Sequence, residues 1–292
     1  MKQTTGQNYR ARLTRMIDYI YNHLDSDLSV NTLADIALMS PYHFHRIYRG
    51  LAQETLNSTI RRLRLQHAAV ELIRSTQPIL SIAKNVSYGS QEAFTRAFTQ
   101  YFGETPNEYR QAKQQNCKPF EPFIAMLPKE QQEYKIMFDV EIMKLEAIDL
   151  VGYKHQGDYM NIGNAFEKLF IYAASNNMLD ESTRSIGLYY DDPQSTDKDK
   201  LRSMACINTA EKSLPTGEDM PEASQTPEGK YATLLFKGSY AELEKPYNWL
   251  FGQWLPESGH EAGDFPPFEE YLNDPKATAP NELLTRIHCL LR

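Results

Sequence analysis

The sequence predicts a multidomain chain: an all-α N-terminal part holding two tandem helix-turn-helix motifs, then an α+β part made of two pseudo-symmetric strand-helix-strand-strand repeats. Three observations lead there. Residues 28–51 and 79–102 each read as a short apolar helix, a turn and a second amphipathic helix. From about residue 137 the pattern alternates between strand-like and helix-like periods, and it runs twice at an offset of 81 to 83 residues. Charge divides the chain as well. Residues 1–115 carry 14 Lys+Arg against 9 Asp+Glu and the remainder 17 against 29, so the net charge of -7 hides a basic front (+5) and an acidic rear (-12).

Taken in order, residues 9–24 place Leu13, Met16, Ile17, Ile20 and Leu24 at helical spacing and predict a first helix over the front motif. In that motif Ser40 can cap a helix whose first turn holds Pro41, with Phe44, Ile47 and Tyr48 facing inward. Residues 55–74 are periodic and free of Gly and Pro, which predicts a stiff connector that has stopped before Pro78. The second motif turns at Gly89, caps at Ser90 and buries Phe94, Ala97 and Phe98. Gly103 is then placed as a C-cap, Thr105 as an N-cap and Pro106 as the first residue of a closing helix. The expected domains are 1–112 and 137–292, with 113–136, rich in Gln, Lys and Pro, as the linker.

Behind the linker, residues 151–159 read as a strand, 164–175 as a helix, and 185–190 and 202–208 as strands. The same order recurs at 232–240, 244–254, 268–272 and 283–291. Gly157-Asp158-Tyr159 aligns with Gly238-Ser239-Tyr240, and 166–169 with 247–250. Tyr189-Tyr190-Asp191-Asp192-Pro193 aligns with Tyr271-Leu272-Asn273-Asp274-Pro275, and Cys206 with Cys289. Two such copies packed together leave a groove between them, and 191–201 and 213–229 read as loops.

Composition narrows the function classes. Cys117, Cys206 and Cys289 are odd in number and far apart, which argues against a disulfide framework or a zinc site and for a reducing compartment. No apolar run reaches the ~18 residues of a membrane span, so a cytoplasmic protein with no membrane partner is expected. His43 and His45 stand two apart and point to different helix faces, so no metal site is expected there, and no cofactor elsewhere. G-x-S-x-G and phosphate-loop patterns are missing. A basic front module can bind DNA phosphates through its local field although the whole chain is acidic, since charges beyond ~8 Å are screened at physiological salt.

Ala83, Gly89-Ser90, Phe94, Arg96, Phe98, Phe102-Gly103, Thr105-Pro106 and Tyr109-Arg110 resemble the signature of the AraC/XylS transcription regulators. Tyr88 departs from it, standing where that family usually has Phe. The rear part is similar to GyrI-like effector-binding domains, through residues 187–193 and 267–275. Head first and effector domain second resembles the Rob-type order. The resemblance implies that the second helix of each motif enters successive major grooves, about 34 Å apart. Matched positions put Tyr42, His45 and Arg46, then Gln91, Glu92, Thr95 and Arg96, at base edges, where Arg suits guanine and Gln adenine. Ser40, Arg49, Ser90, Thr105 and Asn107 are expected at phosphates.

In strand geometry Glu269 and Tyr271 share a face and Glu270 takes the other, so one acid at most lines the groove. Glu269 among Tyr189, Trp249 and Tyr271 would attract an organic cation through charge and ring faces. The expected protein is a ligand-responsive transcription regulator of the activator kind, not an enzyme. Its expected partners are double-stranded promoter DNA, RNA polymerase and a small cationic or lipophilic effector, and it works as a monomer or homodimer. Two alternatives stand beside it: a GyrI-like hydrolase with Glu269 or Glu270 as general base, and a sequestering module that docks a protein such as gyrase. A DNA-repair methyltransferase is disfavoured because no cysteine lies in a Pro-Cys-His context.

Overall fold

A computed structural model describes residues 5–26, 28–113, 138–209 and 220–292. The linker expected at 113–136 lies outside them except for Lys113, as does Cys117. The helices of the front part are α1 (Thr5–Asn22), α2 (Val30–Ile36), α3 (Pro41–Ala52), α4 (Leu56–Arg74), α5 (Ile79–Asn85), α6 (Gln91–Phe102) and α7 (Pro106–Lys113). The chain divides into two compact units. One comprises Arg10–Leu38 with Leu51–Glu130; the other joins Met1–Tyr9, Met39–Gly50 and Gln131–Arg292.

The helical unit is organised around the second motif. Leu65, Ala68, Ala69 and Leu72 of α4 meet Ile79, Ile82 and Ala83 of α5, Val86 beyond it, and Phe94, Ala97 and Phe98 of α6 in one apolar core. Each of the larger side chains contributes about 1.5–3 kcal/mol by leaving water. Tyr88 packs edge-on against Phe94 at 5.5 Å, so the aromatic that departs from the family pattern still plugs this core. Thr55 caps α4 by accepting from Ser58 N, and the helix has stopped at Arg74, four residues before Pro78. Thr105 and Glu108 cap α7 reciprocally: Thr105 N donates to Glu108 Oε2 at 2.8 Å, and Glu108 N donates to Thr105 Oγ1 at 3.3 Å. Arg110 then ties α7 back, donating to Leu72 O and Gln77 O.

The other unit holds β1 (Val140–Leu145), β2 (Ile148–Gln156), α8 (Gly163–Ser175), β3 (Ser185–Tyr189), β4 (Arg202–Asn208), β5 (Glu222–Thr226), β6 (Gly229–Lys237), α9 (Glu244–Trp249), β7 (Phe268–Tyr271) and β8 (Leu284–Leu291). One antiparallel sheet runs β1-β6-β8-β7-β3-β4-β2-β5. The expected duplication is visible in it: β2-α8-β3-β4 and β6-α9-β7-β8 mirror each other across the β3–β7 pair, where Gly187 faces Glu269 and Leu188 faces Phe268. Each copy's leading strand crosses over, β1 pairing with β6 and β5 with β2. Gly157 and Gly238 both turn through positive φ (131° and 154°). Directly after them Asp158 and Ser239 cap matching short turns by accepting from Met160 N and Ala241 N.

Two strands, β1 and β5, lie where the sequence predicts none. Residues 213–229 are not loop throughout, because Glu222–Thr226 is β5. Its sequence, Glu-Ala-Ser-Gln-Thr, carries no apolar alternation, and pairing with β2 at the sheet edge commits it to the strand. β1 likewise falls between the expected linker and the first expected strand; it exposes Ile142 and Met143, so burial leaves no clear period in its sequence.

Candidate functional sites

On α6, Ser90 accepts from Ala93 N at 3.1 Å and Gly103 closes the helix in the left-handed conformation, φ 82°. Both ends are thereby fixed. With Phe94, Ala97 and Phe98 turned into the core, Gln91, Glu92 and Arg96 are exposed and Thr95 is half-buried, which leaves one polar face open. Ser90 and Thr105, expected at phosphates, spend their hydroxyls on caps. Asn107 is exposed.

The corresponding face of α3 is arranged differently. Ser40, His45 and Arg46 are buried, Arg46 to 4% exposure, and Tyr42 and Arg49 are half-buried. Their partners belong to the same compact unit. Ser40 does not cap α3 with its hydroxyl as expected; its Oγ donates to Asp264 Oδ1 at 2.8 Å, while its carbonyl accepts from His43 and Phe44 N. His43 Nε2 lies 2.8 Å from Phe265 O, and burial followed by the Arg46 charge lowers His43 to about 3, so the ring is neutral and donates. Arg46 donates to Asp191 O at 2.7 Å and lies over the rings of Tyr247 and Phe251, 5.4 and 5.8 Å from their centres. Arg49 donates to Asn248 Oδ1 and faces Asp192 at 3.9 Å. Tyr42 stands 6.3 Å from Tyr190, ring to ring. His45 is lowered as well, by burial first, and is neutral.

β7 sorts its acids as strand geometry demands. Glu269 and Tyr271 share one face, and Tyr271 OH donates to Glu269 Oε2 at 2.8 Å. Tyr247 OH donates to Oε1 at 3.0 Å, and Tyr189 OH contacts Tyr271 OH. Rings continue outward: Tyr159 packs on Tyr189 at 4.8 Å, Tyr240 on Tyr271 at 5.3 Å and Phe166 on Tyr271 at 5.6 Å. Burial raises Glu269 to about 7 against the opposing hydrogen bonds of the two tyrosines and the charge of Arg46. Burial and then the Glu269 charge push Tyr189, Tyr247 and Tyr271 well above the ordinary phenol range, so all three remain protonated donors.

Glu270 points to the opposite face, where burial would raise its pKa. Hydrogen bonds and charge from Arg184 (2.7 Å) and Arg286 (3.0 Å) outweigh burial and hold it far below the usual carboxylate range. His288 Nε2, at 3.7 Å, is too distant to hydrogen-bond it well. Glu270 is thus an ionised clamp joining β7 to β8 and to Arg184, the residue that leads into β3.

Of the four expected effector residues, the structure brings Tyr189, Glu269 and Tyr271 together. Trp249 packs on Phe138 at 5.9 Å, with its indole nitrogen lacking a hydrogen-bond partner among the described residues. Sequence reasoning missed Tyr159, Phe166, Tyr240 and Tyr247 as site residues. Their signal was the repeat itself, because Tyr159/Tyr240, Phe166/Tyr247 and Tyr189/Tyr271 are among the aromatic positions that recur at 81 to 82 residues.

Comparison with known proteins follows the same division. Residues 138–291 match the GyrI-like small molecule binding domain, and residues 33–112 match a helix-turn-helix domain. The regulatory protein SoxS of Salmonella typhimurium is 37% identical over 103 residues, which span 35% of this chain and 96% of that protein. The right origin-binding protein of Escherichia coli K12 is 30% identical over 137 residues, 47% of this chain and 45% of that one. The transcriptional regulator Rob of S. typhimurium is 34% identical over 99 residues, 34% of each chain. With an AraC-type helix-turn-helix head and a GyrI-like domain covering more than half of its length, the chain belongs to the AraC/Rob family of DNA-binding transcription regulators.

Proposed function

We propose that Gln91, Glu92, Thr95 and Arg96 of α6 read base edges, that Tyr42, His45 and Arg46 of α3 do so in the neighbouring groove with Arg49 on phosphate, and that the GyrI-like domain binds an organic cation at Glu269. The observation that carries the first part is the open polar face of α6 on a helix fixed at both ends, since a base-reading side chain needs a rigid carrier. The second part rests on the Glu269 carboxylate, held by two tyrosine hydroxyls and ringed by aromatic faces that suit a cation. Cation binding then shifts the chain between states of different competence for DNA and RNA polymerase. The site acts as a sensor without turnover. Glu270, engaged by two arginines, offers no free base, and Glu269 lies among tyrosines whose hydroxyls already donate to it.

Competition binding with single-base variants of a selected duplex tests the head. Arg96→Ala should cost about 1–3 kcal/mol of specific affinity and relax one position of the site, whereas uniform weakening on every variant would reduce Arg96 to a phosphate contact. For the rear domain, calorimetry with tetraphenylphosphonium on wild type and Glu269→Gln decides. Equal affinities would remove Glu269 from the ligand site, and release of a hydrolysed product from an ester-bearing cation would replace sensing with catalysis.

A further inference from the structure

The α3 face matched to base edges is engaged by the domain matched to small-molecule binding, and every contact lies within one compact unit. Ser40 holds Asp264, His43 holds the Phe265 carbonyl, Arg46 holds the Asp191 carbonyl and Arg49 holds Asn248. The backbones of α3 and the turn after α9 meet at two glycines, and a methyl group on Gly50 would overlap the Cα of Gly252. No side chain larger than hydrogen fits that crossing. A groove-facing arginine at 4% exposure is a costly arrangement unless its charge is answered. Here it is answered by two carbonyls, of Asp191 and of Tyr42 one turn back, by two ring faces, and by Glu269 beyond the Tyr247 ring, whose hydroxyl donates to that carboxylate.

We infer that α3 is a built-in ligand of the GyrI-like domain: the Arg46 guanidinium supplies the cation beside Tyr247 and Glu269, an incoming organic cation competes with it, and winning that competition frees the α3 face for DNA. The inference rests on the proposed base-reading role of α3 and the proposed cation site at Glu269. One residue cannot lie over Tyr247 and read a base edge at once, so the two uses of Arg46 exclude each other. Linkage then requires reciprocity. If the cation tightens DNA binding by some factor, DNA must tighten cation binding by the same factor.

The test uses the full chain, a duplex selected by that chain from a randomised pool, and tetraphenylphosphonium as the cation. Amide hydrogen exchange is followed over Tyr42 to Gly50. The variant Asp264→Ala with Asn248→Ala removes two holders of α3 without altering α3 or the tyrosines around Glu269. Saturating cation should accelerate exchange across α3 and tighten the duplex about tenfold, with the reciprocal gain when duplex is added first. The double variant should bind the duplex more tightly without cation and gain less from it, and Glu269→Gln should gain nothing. Bound cation with α3 exchange and duplex affinity both unchanged overturns the competition while leaving the cation site in place. Faster α3 exchange in the double variant at unchanged duplex affinity overturns it on the other side, by showing that α3 does not serve DNA. If neither wild type nor double variant binds the cation, the effector reading and the competition fall together; binding by the double variant alone supports Arg46 as the occupant.

Discussion

Glu269 is ionised in about half of the molecules at pH 7, because burial brings its pKa to about 7. Since the charged form is the one a cation seeks, affinity for tetraphenylphosphonium should rise about tenfold from pH 6 to pH 8, and Glu269→Gln should bind weakly with no such slope. Calorimetry at the two pH values reads this directly; a flat profile in wild type would mean that the cation is drawn by rings alone. Stability runs the other way. A carboxyl whose pKa is raised on folding stabilises the fold fully below its unfolded value, near 4.5, and that contribution is lost as pH rises through about 7. Wild type should therefore lose thermal stability from pH 5 to pH 8 relative to Glu269→Gln. At this scale the sequence was informative where period-two geometry decides, separating Glu269 from Glu270. It placed Arg46 at a base edge but was silent on its burial, because a helix pattern marks a polar face without saying what covers it.

At the scale of elements, α3 and α6 occupy equivalent places in two motifs and differ in how their N-termini are satisfied. Ser90 caps α6 with its hydroxyl, whereas Ser40 turns its hydroxyl to Asp264. Ser90→Ala should then cost about 1 kcal/mol of local stability and speed exchange of the α6 amides about fivefold. If hydrogen exchange is unchanged and only DNA affinity falls, Ser90 acts as the phosphate contact its position suggested and the cap is unimportant. Elements with caps, Gly or Pro punctuation and apolar period were legible: α4 ending short of Pro78, Gly103 closing α6, Thr105 and Pro106 opening α7. β1 and β5 were not, because edge strands are committed by backbone ladders to β6 and β2, and their side chains leave little trace in the sequence. In the sequence, residues 250–254 show only a continuing helix pattern, yet the wide turn at Leu250–Trp254 carries Gly252 to Gly50, a close approach that no local pattern announces.

For the whole molecule, duplication supplies a symmetric scaffold, and one substitution within it makes the site single. Tyr159, Phe166 and Tyr189 have their counterparts in Tyr240, Tyr247 and Tyr271, so the two copies contribute rings to one cluster around the β3–β7 seam. Glu269 has no acidic counterpart. Its register partner across the seam is Gly187, where a Cβ would come within 2.8 Å of the Tyr189 ring and 3.0 Å of the Tyr271 hydroxyl. A second carboxylate there would crowd Tyr189 and displace Tyr271, which donates to the first, and two buried like charges would each resist ionisation. The repeat was readable from offsets in the sequence, but its broken symmetry required the strand pairing. Binding should therefore be one cation per chain despite two repeats, and Gly187→Ala, by crowding Tyr189 and Tyr271, should weaken it several-fold while Glu270 and its arginines stay in place. Titration of the full chain with tetraphenylphosphonium measures both. Two equivalent cations per chain, or full affinity in Gly187→Ala, would mean that the cation binds somewhere other than the seam.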